Sequence, residues 1–295
     1  MIYKYLPATA KGLDLLRSAE IRFAHSGTTS DPFDFAPVII EGAPKEGEAE
    51  RFRAALAAWG FNDPDKAEPH EGYFEEIEDH QPSFANVISK TFYSSFCLRP
   101  NNPVMWARSA GGMSGFCIGY EEEALVGEGR AQRVLKVDYQ DDRPVVDAFL
   151  YALASDQHDF HSSMMPEQQD VIDESWANME AIWAAAFATK SRAWAAEEEA
   201  RLLIHDAEGT NEDCQEPSIR YPDSGTVELI IGEEMAVQLR EKLIAAAKSA
   251  YANVRVFEAR ASKVEYAISV AELPVLGNTI LDDELTRGPQ LGNDN

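Results

Sequence analysis

Glu197-Glu198-Glu199-Ala200-Arg201-Leu202-Leu203-Ile204 turns from a run of carboxylates into an apolar run, and the reading of that turn decides the fold. Residues 201–204 have the composition of a strand. Side chains two apart share a face in an extended segment, so Glu197 and Glu199 point to the same side as the chain enters that strand. Two like charges held close raise each other's pKa, and a cleft that tolerates such a pair does so for chemistry on a cationic or electron-deficient group. The same letters also describe a solvated helix end, the reading that the sequence alone favours. Arg201 is expected to pair with a neighbouring carboxylate at the surface, a contact worth about 0–1 kcal/mol.

Working back from that strand, Ile172, Trp176, Met179, Trp183 and Phe187 recur at helical spacing between about 168 and 190, which places their rings in the core. Residues 134–139 alternate as a half-buried strand. Residues 116–120 and 89–97, rich in β-branched and aromatic side chains, read as two more. Residues 2–6 form a short opening strand. Leu13, Leu16 and Ala19 fall on one helical face, and residues 21–24 read as a strand. Phe52, Leu56 and Trp59 make a helical stripe that Gly60 stops, and residues 63–82 are acidic enough to read as a solvated loop. Beyond the Glu run, strands are expected at 226–231, 254–259 and 264–270, with a helix at 236–251. The fold class is α/β (α+β), with a mixed, mostly antiparallel central sheet flanked by helices. Residues 1–270 form a single domain with a helical and acidic insertion at about 44–82, and residues 271–295 form a flexible tail.

Acidic residues outnumber basic ones by 51 to 26, for a formal charge of -25. Such a field repels phosphate backbones and anionic membranes, which argues against non-specific nucleic-acid binding and membrane association. An anionic small molecule needs only a few aimed donors. Cys97, Cys117 and Cys214 are odd in number and widely spaced, as in a reducing compartment. The sequence shows neither a secretory leader nor an apolar run long enough to span a bilayer, and the expected location is cytoplasmic.

Several landmarks recur in a fixed order. Tyr3-Lys4-Tyr5 is followed by Ser30-Asp31-Pro32-Phe33-Asp34. Ser95-Phe96-Cys97, Met105-Trp106 and Gly115-Phe116-Cys117-Ile118 come next, and Lys190-Ser191, Trp194, Glu197, Glu199 and Arg201 close the series. In this order they resemble the bacterial domain-of-unknown-function family 2971, the last group most specifically. The chain departs from that pattern at Ser30, where Asn is usual, and at Cys97, where Ser is usual. It departs again at Arg108, Ser109 and Met113, where the family commonly shows His, Tyr and His.

The order of landmarks is also similar to that of mono-ADP-ribosyltransferases, which carry a basic first strand, a Ser-rich middle strand and a Glu-x-Glu turn before a late strand. That similarity implies an NAD-consuming enzyme, transferase or glycohydrolase, of the kind found among toxins and phage-defence effectors. It implies NAD and an unknown acceptor as partners, with room for a regulatory or immunity partner. Lys4 and Tyr5 then bind the cofactor with Ser94 and Ser95, and Trp106 stacks on one of its rings. Glu199 stabilises the oxocarbenium-like centre formed as nicotinamide leaves, and Glu197 orients or deprotonates the acceptor.

Each residue also has a plainer reading. Lys4 is a point charge without the fork of arginine, as suited to the exposed face of an edge strand as to a pyrophosphate. Ser94 and Ser95 are ordinary strand residues, and Trp106 is ordinary core. Gly111-Gly112-Met113-Ser114-Gly115 lacks the spacing of a nucleotide-binding fingerprint and turns the chain. His158-Asp159-Phe160-His161 is the one cluster of metal-ligand residue types, but no third ligand is near in sequence and a helix cap explains it as well. Cys97 beside Arg99 has no paired histidine. Besides the NAD-consuming enzyme, a non-enzymatic binding or regulatory protein of the same fold and a metal-dependent hydrolase therefore stay open.

Overall fold

A computed structural model of the chain describes residues 1–45, 47–59, 77, 83–126, 132–205 and 217–274. Along the chain run β1 (Ile2–Leu6), α1 (Ala10–Ser18), β2 (Glu20–Arg22), β3 (Ala24–His25), β4 (Val38–Ile40), α2 (Ala49–Ala58), α3 (Phe84–Ser89) and β5 (Thr91–Cys97). They are followed by α4 (Pro103–Ser109), β6 (Phe116–Tyr120), α5 (Glu122–Leu125), β7 (Gln132–Lys136), β8 (Asp138–Gln140), β9 (Val145–Asp147), α6 (Ala148–Met164) and α7 (Gln169–Phe187). Then come β10 (Thr189–Ser191), a 3-10 segment (Arg192–Glu197), β11 (Glu199–His205), β12 (Ser218–Arg220), β13 (Thr226–Gly232), α8 (Val237–Ala250), β14 (Asn253–Ala261) and β15 (Ile268–Glu272).

The central sheet is mixed and mostly antiparallel, with the order β15-β14-β13-β6-β1-β5-β11-β7. Only β13 and β14 run parallel in it, and α8 makes the crossover that parallel neighbours require. Every residue of β6 is buried, and so are the first five of β11, because both strands lie inside the sheet with both faces covered. On one face, α1 and α8 pack Leu16, Leu243, Ile244 and Ala247 against Phe116, Leu202 and Leu229. On the other, Phe187, Trp183 and Phe84 close over Leu203. The rings expected in the core from the 168–190 periodicity include Trp183 and Phe187, both buried, whereas Trp176 is exposed.

The sheet is interrupted at β5. One edge of β5 pairs with β11 over its whole length, from Cys97 to Thr91. The other edge is shared: β1 pairs with it only at Tyr3 and Cys97, and β3 only at Tyr93 and Phe92. Ser94, Ser95 and Phe96 lie between these two pairings, where β1 and β5 part.

Helices at Phe84–Ser89 and Pro103–Ser109 are not in the sequence reading, the strand expected at 264–270 lies at Ile268–Glu272, and two further stretches depart from it. Residues 134–139 are not one strand: β7 belongs to the central sheet, and β8 pairs in parallel with β10 in a separate one. The break falls at Val137, whose N–H bonds the carbonyl of Glu199 while that of Asp138 bonds Ala188. The alternation of side chains survives a change of partner, so the pattern could not show it. Residues 148–164, given no helix in the sequence reading, form α6, whose buried face is built largely of alanine, leucine and phenylalanine. Most of the expected acidic loop at 63–82, and residues 275–295 of the expected tail, lie outside the described residues. Among those described, no helix is long and apolar enough to cross a membrane.

The end of β13 requires a glycine. A Cβ at Gly232 would stand 2.0 Å from the carbonyl oxygen of Met113, and the Gly232 N–H bonds the carbonyl of Gly115 at 3.1 Å. Backbone is on both sides, so Gly232→Ala is expected to cost about 1–3 kcal/mol in urea unfolding. A loss smaller than the scatter of the measurement would show that the 110–115 turn yields.

Candidate active site

The register of β5 against β11 sets Arg201 opposite Ser95 and Glu199 opposite Cys97. Diagonal neighbours on one face of a sheet are within reach of long side chains, so Ser95, Glu199 and Arg201 meet. Ser95 Oγ donates to Glu199 Oε1 at 2.5 Å, Arg201 Nε donates to the same oxygen at 2.9 Å, and Arg201 Nη2 donates to Oε2 at 3.1 Å. Lys190 Nζ reaches Glu199 Oε2 at 3.1 Å and Glu197 Oε2 at 2.9 Å, so one ammonium ties the two carboxylates together. The backbone N–H of Glu199 donates to Tyr139 Oη at 2.8 Å.

Arg201 is not the surface residue expected from the sequence. Its side chain is fully buried, with the guanidinium shared among Glu199, Asp34 at 2.9 Å and the carbonyl of Phe187 at 2.7 Å. The Phe35 ring lies 4.5 Å from its Cζ. Burial pushes the Glu199 carboxyl up, but Arg201, Lys190 and the Ser95 hydroxyl overcome it and hold the pKa at about 2. Glu199 is therefore ionised at neutral pH.

Lys4 fills the parting between β1 and β5. Its ammonium donates to Ser94 Oγ at 2.9 Å and to the carbonyl of Ser95 at 2.8 Å, and stands 5.0 Å from the centroid of Phe96. Ser95 lies in the stretch that neither β1 nor β3 pairs on that edge of β5, and a buried carbonyl needs a donor, which Lys4 supplies. Its hydrogen-bond partners are neutral. Loss of hydration lowers its pKa to about 8, against the upward pull of Glu199. Lys4, Tyr5, Ser95, Glu197 and Glu199 border one cleft of about 270 Å³, with Tyr3, Met105, Ser109 and Lys190 also on its wall.

Residues 105–202 match the family described as Protein of unknown function (DUF2971). No curated protein and no solved structure matches the chain. The DUF2971 match takes in Trp106, Lys190, Glu197, Glu199 and Arg201, while Lys4, Asp34 and Ser95 reach the same place from outside the matched residues.

Five of the seven residues singled out in the sequence border the cleft, and two do not. Ser94 is buried and touches the cleft only through Lys4. Trp106 is fully buried; its ring packs edge-on against Tyr5 with centroids 5.4 Å apart, and its Nε1 donates to the carbonyl of Pro100. The Tyr5 hydroxyl donates to the carbonyl of Arg99 at 2.7 Å. Residues that the sequence reading gave no role are Asp34, Tyr139 and Lys190. Asp34 and Lys190 both stand in the landmark series, and their place in it was the available signal. Tyr139 carried none.

The two remaining candidates do not border the cleft. Cys97 is buried, which pushes its thiol up to about 11 and away from the thiolate form. His158 and His161 sit on α6, where a His161 ring nitrogen bonds the carbonyl of Gln157 and His158 lies against Trp176. Among the described residues no group of three His, Cys, Asp or Glu could hold a metal ion.

Proposed function

We propose that the chain is an NAD-consuming, ADP-ribosyltransferase-like enzyme, a transferase or a glycohydrolase, working in this cleft. The observation that carries the reading is the convergence of Lys4, Ser95 and Glu199 at the parting of β1 and β5, with Ser95 hydrogen-bonded to Glu199. Residues far apart in sequence there provide a cation, a hydroxyl and an ionised carboxylate. Ligand clefts commonly run from about 300 Å³, so this one suits the nicotinamide and ribose end of the dinucleotide, with the rest along the rim.

Glu199, fixed by four donor contacts, faces the ribose carbon with a negative charge as its bond to nicotinamide breaks and nicotinamide leaves with the bonding electrons. Ser95 holds Glu199 in orientation, and Lys4 offers a positive charge to the diphosphate. Glu197, more exposed than Glu199, takes the proton from the attacking water or acceptor. Trp106 backs Tyr5 from beneath. Draining NAD or modifying a cellular acceptor suits a cytoplasmic toxin or phage-defence effector, kept in check by a regulatory or immunity partner.

One observation favours a second reading, a non-enzymatic binding protein of the same fold: both oxygens of Glu199 are already engaged by protein donors. Nicotinamide release from NAD separates the two. The enzyme reading expects release by the native chain, with or without a cell extract as acceptor. It expects a drop of roughly 100-fold in Glu199→Gln and a smaller one in Ser95→Ala, which leaves the charges in place. Equal release by all three proteins, or none by any, would remove it.

A further inference from the structure

Beside the wall of the cleft that α4 and the 3-10 segment supply with Met105, Ser109 and Glu197 stands a cation with little to do. Arg108, on the last turn of α4, contacts Glu197 Oε1 through Nη1 at 3.3 Å, and its side chain is 56% exposed. Glu197 does not depend on it, because Lys190 holds the other oxygen at 2.9 Å. Both cations rest on one ring: Arg108 Cζ and Lys190 Nζ lie 5.1 and 5.0 Å from the centroid of Trp194. The guanidinium is thus held next to Glu197 by an aromatic face while its fork stays open to solvent.

Charge around the cleft points the same way. The charged residues that line the cleft balance, Lys4 and Lys190 against Glu197 and Glu199, and Arg201 is paired with Asp34 behind them. The exposed fork of Arg108 is therefore an added positive charge beside Glu197 in a chain whose formal charge is -25. Arg99 and Glu198, next to the 3-10 segment, cancel each other. An exposed guanidinium next to a charge-balanced cleft is a donor open to an anion.

We infer that Arg108 is a ligand-contacting residue that takes a diphosphate group beside the cleft, exchanging its contact with Glu197 for phosphate oxygens. The choice of a diphosphate rests on the NAD reading; the anion site itself rests on the geometry of Arg108. The exchange supplies the two-pronged donor that Lys4 lacks. It also frees Glu197 from one of its two cations when ligand arrives, leaving that carboxylate to Lys190.

The test is binding of inorganic pyrophosphate to the full chain at low ionic strength, by calorimetry, in the native protein and in Arg108→Gln, Arg108→Lys and Arg99→Gln. Arg108 is exposed enough for its variants to fold, and an unchanged Tm checks this. Pyrophosphate is expected to bind roughly tenfold or more weakly to Arg108→Gln, less weakly to Arg108→Lys, and as well to Arg99→Gln as to the native chain. ADP-ribose should displace it and adenosine should not. No binding to the native chain, or equal losses in Arg108→Gln and Arg99→Gln, overturns the inference. Arg108-dependent pyrophosphate binding without nicotinamide release would instead retire the NAD reading and leave the anion site standing.

Discussion

Arg201→Met is expected to lower the free energy of unfolding by about 3–5 kcal/mol, the usual cost of removing one partner from a buried ion pair. The reason lies in what remains. Asp34 and Glu199 are both almost wholly buried, and Arg201 stands between them. Without it, two carboxylates share a dry site with Lys190, which already serves Glu197. The Phe187 carbonyl also loses its 2.7 Å donor. The contribution of Arg201 is thus mostly the avoidance of stranded charge. A further variant distinguishes this from simple loss of packing: Asp34→Asn, made on top of Arg201→Met, should recover part of the stability by removing one of the stranded charges. Urea unfolding of the single and double variants measures both quantities. A loss below about 1 kcal/mol in Arg201→Met, or additive losses in the pair, would mean that the network is hydrated and that Glu199 is not held as described.

That network shows why part of the site was legible from local pattern and the rest was not. The sequence reading expected a strand over 201–204, with Glu197 and Glu199 on one face of an extended segment entering it. β11 begins at Glu199, but Glu197 ends a 3-10 segment and Glu198 is left-handed at φ 48°. It is thus Lys190, and not alternation, that brings the two carboxylates together. Nor could alternation show that the strand would be covered on both faces, and this changed Arg201 from an expected surface partner into a fully buried one. Burial on both faces depends on α7 and on the 34–35 turn, which approach from distant parts of the chain. Ser95 was legible as a strand residue, but its bond to Glu199 follows from the register of β5 on β11, and register is a property of two segments together. Lys4 illustrates the converse. Its alternation fitted a basic side chain on an open edge, yet β1 sits inside the sheet, and the parting from β5 gives that side chain somewhere to go. Trp106 was read both as core and as a ring for stacking on a ligand, and its Nε1 bond to Pro100 decides for core. Sheet class and most strands were readable because they rest on local pattern. The division of 134–139 between two sheets was not, since both halves keep the same period.

The second large effect concerns pH. Glu199 has its pKa lowered from 4.5 to about 2, where its cations and the Ser95 hydroxyl outweigh the cost of burial. A carboxyl whose pKa is depressed by folding contributes stability that is fully present above its unfolded pKa and is lost as pH falls through the folded one. The window is therefore from about pH 5 down to about 2, and the shift corresponds to about 3 kcal/mol, of which about 2 kcal/mol is gone by pH 3. Asp34 acts in the opposite sense, since burial raises its pKa despite Arg201, and protonation in mild acid relieves rather than weakens the fold there. Total stability against pH mixes the two. The difference between the native chain and Glu199→Gln isolates the first, because Asp34 is present in both. That variant is expected to be less stable by about 3 kcal/mol at pH 7 and by only about 1 kcal/mol at pH 3. Urea unfolding at intervals of half a pH unit follows the narrowing. A gap that stays constant across this range would show that Glu199 is not held ionised by its neighbours. The negative charge that the proposed NAD chemistry requires of Glu199 would then be missing, whatever the other residues of the cleft supply.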